Sequence, residues 1–200
     1  MSDKVSTPFC PLGDYQRPLV LFFGGAGDVA TGVVRQLLYP TYIPDGDEFG
    51  PQQYTGYAQY DQTELVLGCI RENYDDYKQK ICLIGHSWGG DAALQTCRAL
   101  ESQKKQVALL ATLDPVSQPG SRIFNSRTKP GNVENWINVY VNYKEAKSGF
   151  ANNIARIGGP WGFCASATSN YEWPYKGGDA HAYAYDMFKR YVEPEVRKIK

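Results

Sequence analysis

Short apolar runs alternate along this chain with amphipathic or polar segments. The strongest runs lie at 18–23, 81–84 and 107–113, where apolar residues occupy both alternating faces. Strands of this kind are typical of a parallel sheet that is covered on both sides. Shorter runs at 54–60 and 136–141 predict two further strands.

Amphipathic segments between these runs predict the helices. We expect helices at about 29–38, at 61–77, at 91–100 and from residue 180 toward Pro194. Because strands alternate with helices, we predict an α/β fold with a mainly parallel sheet of about five strands and helices on both faces. The remaining stretches are rich in Pro, Gly and polar residues and are expected as loops, at 39–53, 116–134 and 142–179.

The length and the pattern indicate one domain. Residues 18–200 are expected to form it, and the polar residues 1–17 an N-terminal arm. The first residues lack the apolar core of a signal peptide, and no apolar run reaches membrane-spanning length. We therefore expect no integral membrane segment and a cytoplasmic location by default, with leaderless secretion as the alternative.

Charge and cysteine usage exclude several functions. The chain has 21 basic and 21 acidic residues and no basic run, which argues against a nucleic-acid partner. The number of cysteines is odd and no two have C-x-x-C spacing, which argues against a zinc site or a redox pair. No metal or cofactor is predicted. Cys82 and Cys97 are expected as small buried hydrophobic residues. The composition identifies no protein partner.

The apolar run at 81–84 leads into Gly85-His86-Ser87-Trp88-Gly89, which fits the pattern G-x-S-x-G. A strand before this pattern and a helix after it are the context of a nucleophile elbow. The backbone of a serine on so sharp a turn is strained, and the glycines let strand and helix approach each other. We predict that Ser87 is a nucleophile. The alternative is an ordinary turn in which Ser87 caps the following helix.

A serine hydroxyl becomes a good nucleophile when a base accepts its proton and a third group orients that base. The chain has two histidines. His86 lies inside the elbow and should point away from Ser87, which leaves His181 as the base. The alternative for His181 is a solvent-exposed residue at the start of the last helix. Asp114 directly follows a buried strand, at the same sheet edge as Ser87, so we predict it as the orienting acid. Its alternative role is to begin a turn before Pro115.

The elbow and the chain order of these three residues resemble the α/β-hydrolase superfamily. The similarity extends over about residues 18 to 192, in a small form that begins at the family's third strand. Asp114-Pro115 resembles the lipase-like variant in which the acid follows the strand just after the elbow helix. The resemblance implies a serine hydrolase that cleaves a carboxylic ester through an acyl-enzyme, as a lipase, phospholipase or esterase. An acyl thioesterase is the main alternative.

The resemblance also implies an oxyanion hole. The backbone N–H groups of Trp88 and of Gly25 or Ala26 would bind the oxyanion, although Phe23 stands where the family often has a histidine. The substrate would be a small molecule or a lipid with an acyl group. Aromatic residues of the second long loop are predicted to bind this group, namely Trp161, Phe163 and Trp173. The alternative is that the stretch from Gly158 to Tyr175 simply packs over the edge of the sheet.

Two other classes of function remain open. The stretch from Gly25 to Ala30 fits the dinucleotide-binding pattern G-x-G-x-x-A. The acid expected about twenty residues later would be Asp45, Asp47 or Glu48, which lie in a predicted loop with no second strand before them. This alternative leaves the elbow unexplained. The other alternative is a non-catalytic binding module with a hydrolase-like fold.

Overall fold

The computed structural model describes residues 18–39, 55–77, 79–119 and 127–199. Within these ranges six strands form one sheet. They are β1 (Leu19–Gly24), β2 (Thr55–Gln59), β3 (Ile81–His86), β4 (Val107–Leu113), β5 (Val133–Tyr140) and β6 (Ser169–Glu172). Their order is β2-β1-β3-β4-β5-β6, and each neighbouring pair is parallel. The predicted α/β class with a parallel sheet is confirmed, with six strands rather than about five.

Helices connect the strands. They are α1 (Asp28–Thr31), α2 (Thr63–Tyr77), α3 (Trp88–Ser102), α4 (Phe150–Gly158), α5 (Ala184–Met187) and α6 (Glu193–Val196). Two π-helical segments cover Val33–Leu38 and Phe188–Val192, and a 3₁₀ turn covers Ala180–Ala182. None of the helices in the described ranges is both long and apolar enough to cross a bilayer. The predicted arm at 1–17 and nearly all of the predicted loop at 39–53 lie outside these ranges.

The two faces of the sheet carry separate hydrophobic cores. Along β1, Val20 and Phe22 join one core, whereas Leu19, Leu21 and Phe23 join the other. The first core is completed by the π-helical segments with α5, and the second by α2 and α3. This alternation explains why β1 is apolar at every position, because each side chain is buried on one face or the other. Helices therefore cover both faces, as predicted.

The cysteines of the described ranges lie in these two cores. Cys82 on β3 and Cys97 on α3 are free and fully buried, as predicted for small hydrophobic residues. Cys164 is also free and buried. Cys69 on α2 is disulfide-bonded.

Two predictions of local structure are wrong. The helix expected at 29–38 is interrupted at Gly32, whose φ of 64° lies in the left-handed region. The long loop expected at 142–179 contains α4 and β6. The strand β6 (Ser-Asn-Tyr-Glu) was missed because it lies at the edge of the sheet, pairs only with β5, and carries no apolar alternation.

The sheet brings the ends of three neighbouring strands together. The register pairs Phe23 of β1 with Gly85 of β3, and His86 of β3 with Leu113 of β4. The residues that follow these strand ends therefore meet at one edge of the sheet. They are the predicted oxyanion turn at Gly25, the elbow at Ser87 and the acid at Asp114.

Candidate active site

Ser87 occupies a strained turn between β3 and α3. Its φ of 57° and ψ of −127° are a conformation that residues with a side chain rarely adopt. Backbone hydrogen bonds hold the turn, because Ser87 N donates to Leu113 O at 3.1 Å and Ser87 O accepts from Val116 N at 3.1 Å. The side chain of Ser87 makes no capping hydrogen bond to α3, so the alternative of a simple helix cap is not observed in the described residues.

The glycines around Ser87 are required by close backbone contacts. A Cβ atom on Gly85 would lie 2.1 Å from Gly89 O, and one on Gly89 would lie 2.2 Å from Phe23 O. A Cβ atom on Gly25 would lie 2.7 Å from the Cβ of Ser87. Strand β3, helix α3 and the turn after β1 therefore approach one another as closely as their backbones allow.

The side chains of Ser87, His181 and Asp114 form one hydrogen-bonded series. Nε2 of His181 lies 3.1 Å from Ser87 Oγ, and Nδ1 of His181 lies 2.7 Å from Asp114 Oδ2. His181 reaches this position from the 3₁₀ turn at Ala180–Ala182, and it is 6% exposed. The structure thus brings together the three residues predicted as nucleophile, base and acid.

Asp114 is fully buried, and donors surround its carboxylate. Its Oδ1 accepts a hydrogen bond from Val141 N at 3.0 Å, and its Oδ2 accepts from His181 and from the hydroxyl of Tyr143. A buried carboxylate is costly unless such donors compensate for its lost hydration. Burial and the negative charge of Asp114 raise the pKa of Tyr143, so this hydroxyl stays protonated and remains a donor.

Tyr143 is a residue of the site that the sequence does not predict. It lies three residues after the end of β5, at the sheet edge that also holds Ser87 and Asp114. A tyrosine shortly after a strand end at the active edge is a weak signal, and only the fold shows which of the fifteen tyrosines meets Asp114.

His86 supports the segment that carries His181. Its Nε2 lies 2.7 Å from the backbone carbonyl of His181, and the two imidazole rings pack 4.7 Å apart. Because a carbonyl only accepts hydrogen bonds, Nε2 of His86 carries the proton. Burial, and then the proximity of His181, lower the pKa of His86 to about 3. His86 is therefore neutral at physiological pH and acts as a donor to the neighbouring backbone.

Asn152 on α4 also holds this segment in place. The side chain is fully buried, and its Oδ1 accepts a hydrogen bond from His181 N at 2.9 Å. Its Nδ2 donates to Lys147 O at 2.9 Å and to Gly177 O at 2.7 Å. Sequence reasoning missed Asn152 because it falls in the region predicted to be a loop.

A pocket of about 330 Å³ opens beside Ser87 and His181. Its lining is mainly apolar and comes from the turn after β1, the start of α3 and the face of α4. The main lining residues are Gly25, Ala26, Gly27, Trp88, Val116, Phe150, Ala151, Ile154 and Ile157. The positions predicted to form the oxyanion hole, Trp88, Gly25 and Ala26, are therefore all at this pocket.

The aromatic residues predicted to bind the acyl group do not line this pocket in the described part of the chain. Trp161 is buried in one core, where its Nε1 donates to Ser117 Oγ at 3.0 Å. Trp173 is buried in the other core. Phe163 is exposed and packs edge-on against Tyr140. Apolar residues of α4 occupy the place expected for these three.

The dinucleotide-like turn has a structural explanation in this fold. Asp28 is buried, and its carboxylate accepts hydrogen bonds from Val34 N at 2.6 Å, from Arg35 N at 3.1 Å and from the hydroxyl of Tyr57 at 2.6 Å. The helix that follows the turn has only four residues. The acids proposed for a ribose contact, Asp45, Asp47 and Glu48, lie outside the described residues.

Comparison with known proteins adds no family to this description. A scan against protein-family models and a search of curated proteins both found no match to the chain. The function is therefore argued from the geometry of the site.

Proposed function

We propose that this protein is a serine hydrolase of the α/β-hydrolase type that cleaves carboxylic esters, as a lipase, phospholipase or esterase. The observation that carries the proposal is the continuous hydrogen-bonded series from Ser87 Oγ through His181 to Asp114. Ser87 lies on a strained turn, and both Ser87 and His181 line an apolar pocket. A nucleophile, a base and an orienting acid in this arrangement perform acyl transfer in unrelated folds.

The strand order supports the same proposal. From β1 the chain moves to one edge of the sheet with β2, and then returns to the other side of β1 with β3. Ligands of open α/β sheets bind at such a switch point, outside the carboxyl ends of the strands. Gly25 after β1 and Ser87 after β3 face each other at this point.

The first half of the proposed reaction forms an acyl-enzyme. Ser87 Oγ attacks the ester carbonyl carbon while Nε2 of His181 accepts the hydroxyl proton. Asp114 receives the hydrogen bond from Nδ1 and stabilises the imidazolium that forms. When the tetrahedral intermediate collapses, the bond to the alcohol oxygen breaks, and His181 gives its proton to the departing alcohol.

The second half releases the acid. Nε2 of His181 accepts a proton from water as the water oxygen attacks the acyl carbon. Collapse of this second intermediate returns the proton to Ser87 Oγ and frees the carboxylic acid. In both halves the backbone N–H groups of Trp88 and of Gly25 or Ala26 would bind the oxyanion, a contribution of about 10²- to 10³-fold in rate per donor.

The pocket favours an ester with an apolar acyl group over acyl-CoA. The described residues that line it are mainly apolar and include no lysine or arginine, the side chains that would pair with the phosphates of coenzyme A. The apolar walls suit an aliphatic chain.

A fluorophosphonate probe tests for a reactive serine. We expect the wild-type protein to be labelled and the Ser87→Ala variant to remain unlabelled, because the probe bonds to the activated serine oxygen. Absence of labelling in the folded wild-type protein would favour a non-catalytic binding module. Tight binding of NAD in a titration would instead support the dinucleotide alternative.

A panel of substrates tests the bond that is cleaved. p-Nitrophenyl esters of increasing chain length, a phospholipid and an acyl-CoA are assayed with the wild-type protein and with Ser87→Ala. We expect hydrolysis of the esters that depends on Ser87. Activity on acyl-CoA alone would overturn the ester proposal in favour of a thioesterase.

A further inference from the structure

Helix α4 presents large apolar side chains to solvent. Phe150 is 82% exposed, Ile154 is 50% exposed and Ile157 is 81% exposed. Their spacing of four and three residues places them on one face of the helix. Leaving several such side chains together in water is unfavourable, and contiguous apolar surface of this kind marks a binding face.

The opposite face of α4 attaches the helix firmly to the site. Asn152 is buried and binds the His181 segment, and Ala155 is also buried. The Arg156 guanidinium donates to the backbone carbonyls of Tyr143 at 3.2 Å and of Ala146 at 2.7 Å. The exposed apolar face is therefore held in a defined orientation relative to Ser87.

The exposed face and the Ser87 pocket are one continuous apolar surface. Phe150, Ile154 and Ile157 all line the pocket, although most of the surface of Phe150 and Ile157 remains open to solvent. A single ester molecule in the pocket would cover the inner sides of these residues and leave the outer sides in water. A lipid aggregate would cover both the inner and the outer sides. The substrate's acyl chain is apolar along its whole length, from the interior of the aggregate to the reacting carbonyl in the pocket.

The charges on α4 indicate how this face would bind. Arg156 is the one charged residue in Phe150–Gly158, and its guanidinium is engaged by backbone carbonyls. The chain as a whole has no net charge. Attraction to a membrane through α4 would therefore depend on apolar burial rather than on anionic headgroups.

From these observations we propose that α4 docks the protein onto the surface of a zwitterionic lipid aggregate, from which the substrate's acyl chain enters the pocket. The proposal rests on the proposed ester hydrolase function and names its substrate class as aggregated lipid. It assigns to Phe150 and Ile154 a role in binding the lipid surface.

Vesicle sedimentation tests this docking. The full chain with Ser87→Ala, which prevents hydrolysis, is mixed with phosphatidylcholine vesicles, and the bound fraction is measured. We expect binding, and a decrease of about tenfold in the partition coefficient for each added substitution, Phe150→Ser or Ile154→Ser, because each removes apolar area from the docked face. The matched control is Leu65→Ser on α2, whose leucine is 53% exposed and is not among the described lining residues. This control should bind as the parent does.

Three results would overturn the proposal. The first is absence of vesicle binding by the parent protein. The second is an equal loss of binding in Leu65→Ser, since non-specific hydrophobic adsorption would then explain the binding. The third is loss of binding in 1 M NaCl, which would indicate electrostatic attraction. Thermal unfolding of each variant confirms that the comparison is made between folded proteins.

A second copy of the chain is the competing occupant of this face. Sedimentation velocity without lipid distinguishes the two, because the docking proposal expects a monomer. A dimer that Phe150→Ser dissociates would overturn the lipid surface as the occupant.

The failure of docking and the failure of the hydrolase proposal give different results. Wild-type protein that reacts with fluorophosphonate but does not bind vesicles would retain the hydrolase function and reject docking. Protein that binds vesicles through α4 but does not react with the probe would reject the hydrolase function and retain the lipid-binding face.

Discussion

At the scale of single residues, the hydrogen bond from Tyr143 to Asp114 affects the proposed chemistry. The Asp114 carboxylate is buried, so its stability depends on the donors around it. Val141 N, His181 and the Tyr143 hydroxyl supply them. Because the Tyr143 hydroxyl and the ring of His181 both bind Oδ2, the hydroxyl restricts the position of the carboxylate beside His181. We therefore regard Tyr143 as a positioning residue.

The substitution Tyr143→Phe removes this donor and keeps the aromatic ring. We expect kcat for ester hydrolysis to fall about tenfold, since a hydrogen bond to a charged group contributes about 1.5–3 kcal/mol. The KM should change little, because Tyr143 is not among the described residues that line the pocket. The measurement is steady-state kinetics on a soluble p-nitrophenyl ester, with Tyr171→Phe at an exposed tyrosine as the control. A raised KM with unchanged kcat would contradict the positioning role.

At the scale of elements, α4 links the pocket wall to the segment that carries His181. One face of the helix carries the apolar residues of the pocket, and the other carries Asn152, whose side chain binds three backbone groups. Two of these groups, His181 N and Gly177 O, belong to the segment that carries the His181 side chain. Through these contacts, α4 holds the imidazole of His181 in its position relative to Ser87.

The substitution Asn152→Ala tests this link. It removes three hydrogen bonds, one of them to the buried His181 N, and empties a fully buried side-chain position, so we expect the free energy of unfolding to fall by about 2–4 kcal/mol. We also expect a lower kcat, because the His181 segment loses an anchor. Urea unfolding and ester kinetics measure the two effects. The control is Asn153→Ala at the adjacent exposed position, which should change stability by less than about 0.5 kcal/mol. Equal effects of the two substitutions would contradict the anchoring role.

At the scale of the whole molecule, His86 couples folding to pH. Its pKa is lowered from 6.5 to about 3 in the folded protein, mainly by burial. Between these two pH values the unfolded chain binds more protons at His86 than the folded protein does. The contribution of His86 to the free energy of unfolding is therefore fully present above pH 6.5. It is lost as the pH falls toward 3, by up to about 1.4 kcal/mol per pH unit.

The substitution His86→Gln removes this titration. Between pH 7.5 and pH 5 we expect the wild-type protein to lose about 2 kcal/mol more of its unfolding free energy than the variant does. Urea denaturation at both pH values measures the difference. The variant's own stability at pH 7.5 serves as its reference, so a general loss from the substitution does not affect the comparison. Parallel pH dependence in the two proteins would contradict a neutral, buried His86.

Much of the sheet was predictable from local pattern. Strands β1, β3 and β4 are buried at every position, and such strands show as unbroken apolar runs. The placement of Ser87 and Asp114 at one edge followed from these runs, because carboxyl ends of parallel strands lie together. Their catalytic roles remain a proposal.

Other elements were not predictable from local pattern. The edge strand β6 carries polar residues, so its pairing with β5 leaves no apolar alternation to detect. Helix α4 has apolar residues that face a pocket and solvent as well as the core, so its periodicity does not identify its buried side. Local pattern also does not show which aromatic residues are buried. Those at 161, 163 and 173 were expected at the pocket, whereas Trp161 and Trp173 pack in the cores.

The amino-acid sequence alone was sufficient for the alternation of strands and helices, the parallel sheet and the serine turn, because burial periodicity and glycine sterics are local properties. The contacts of Tyr143, Asn152 and His86 with the candidate triad depended on the fold, since each joins residues that are 29 to 95 positions apart. The identity of the residues that line the pocket also depended on the fold. The side of α4 that meets Ser87 follows from packing between distant segments, which no local pattern contains.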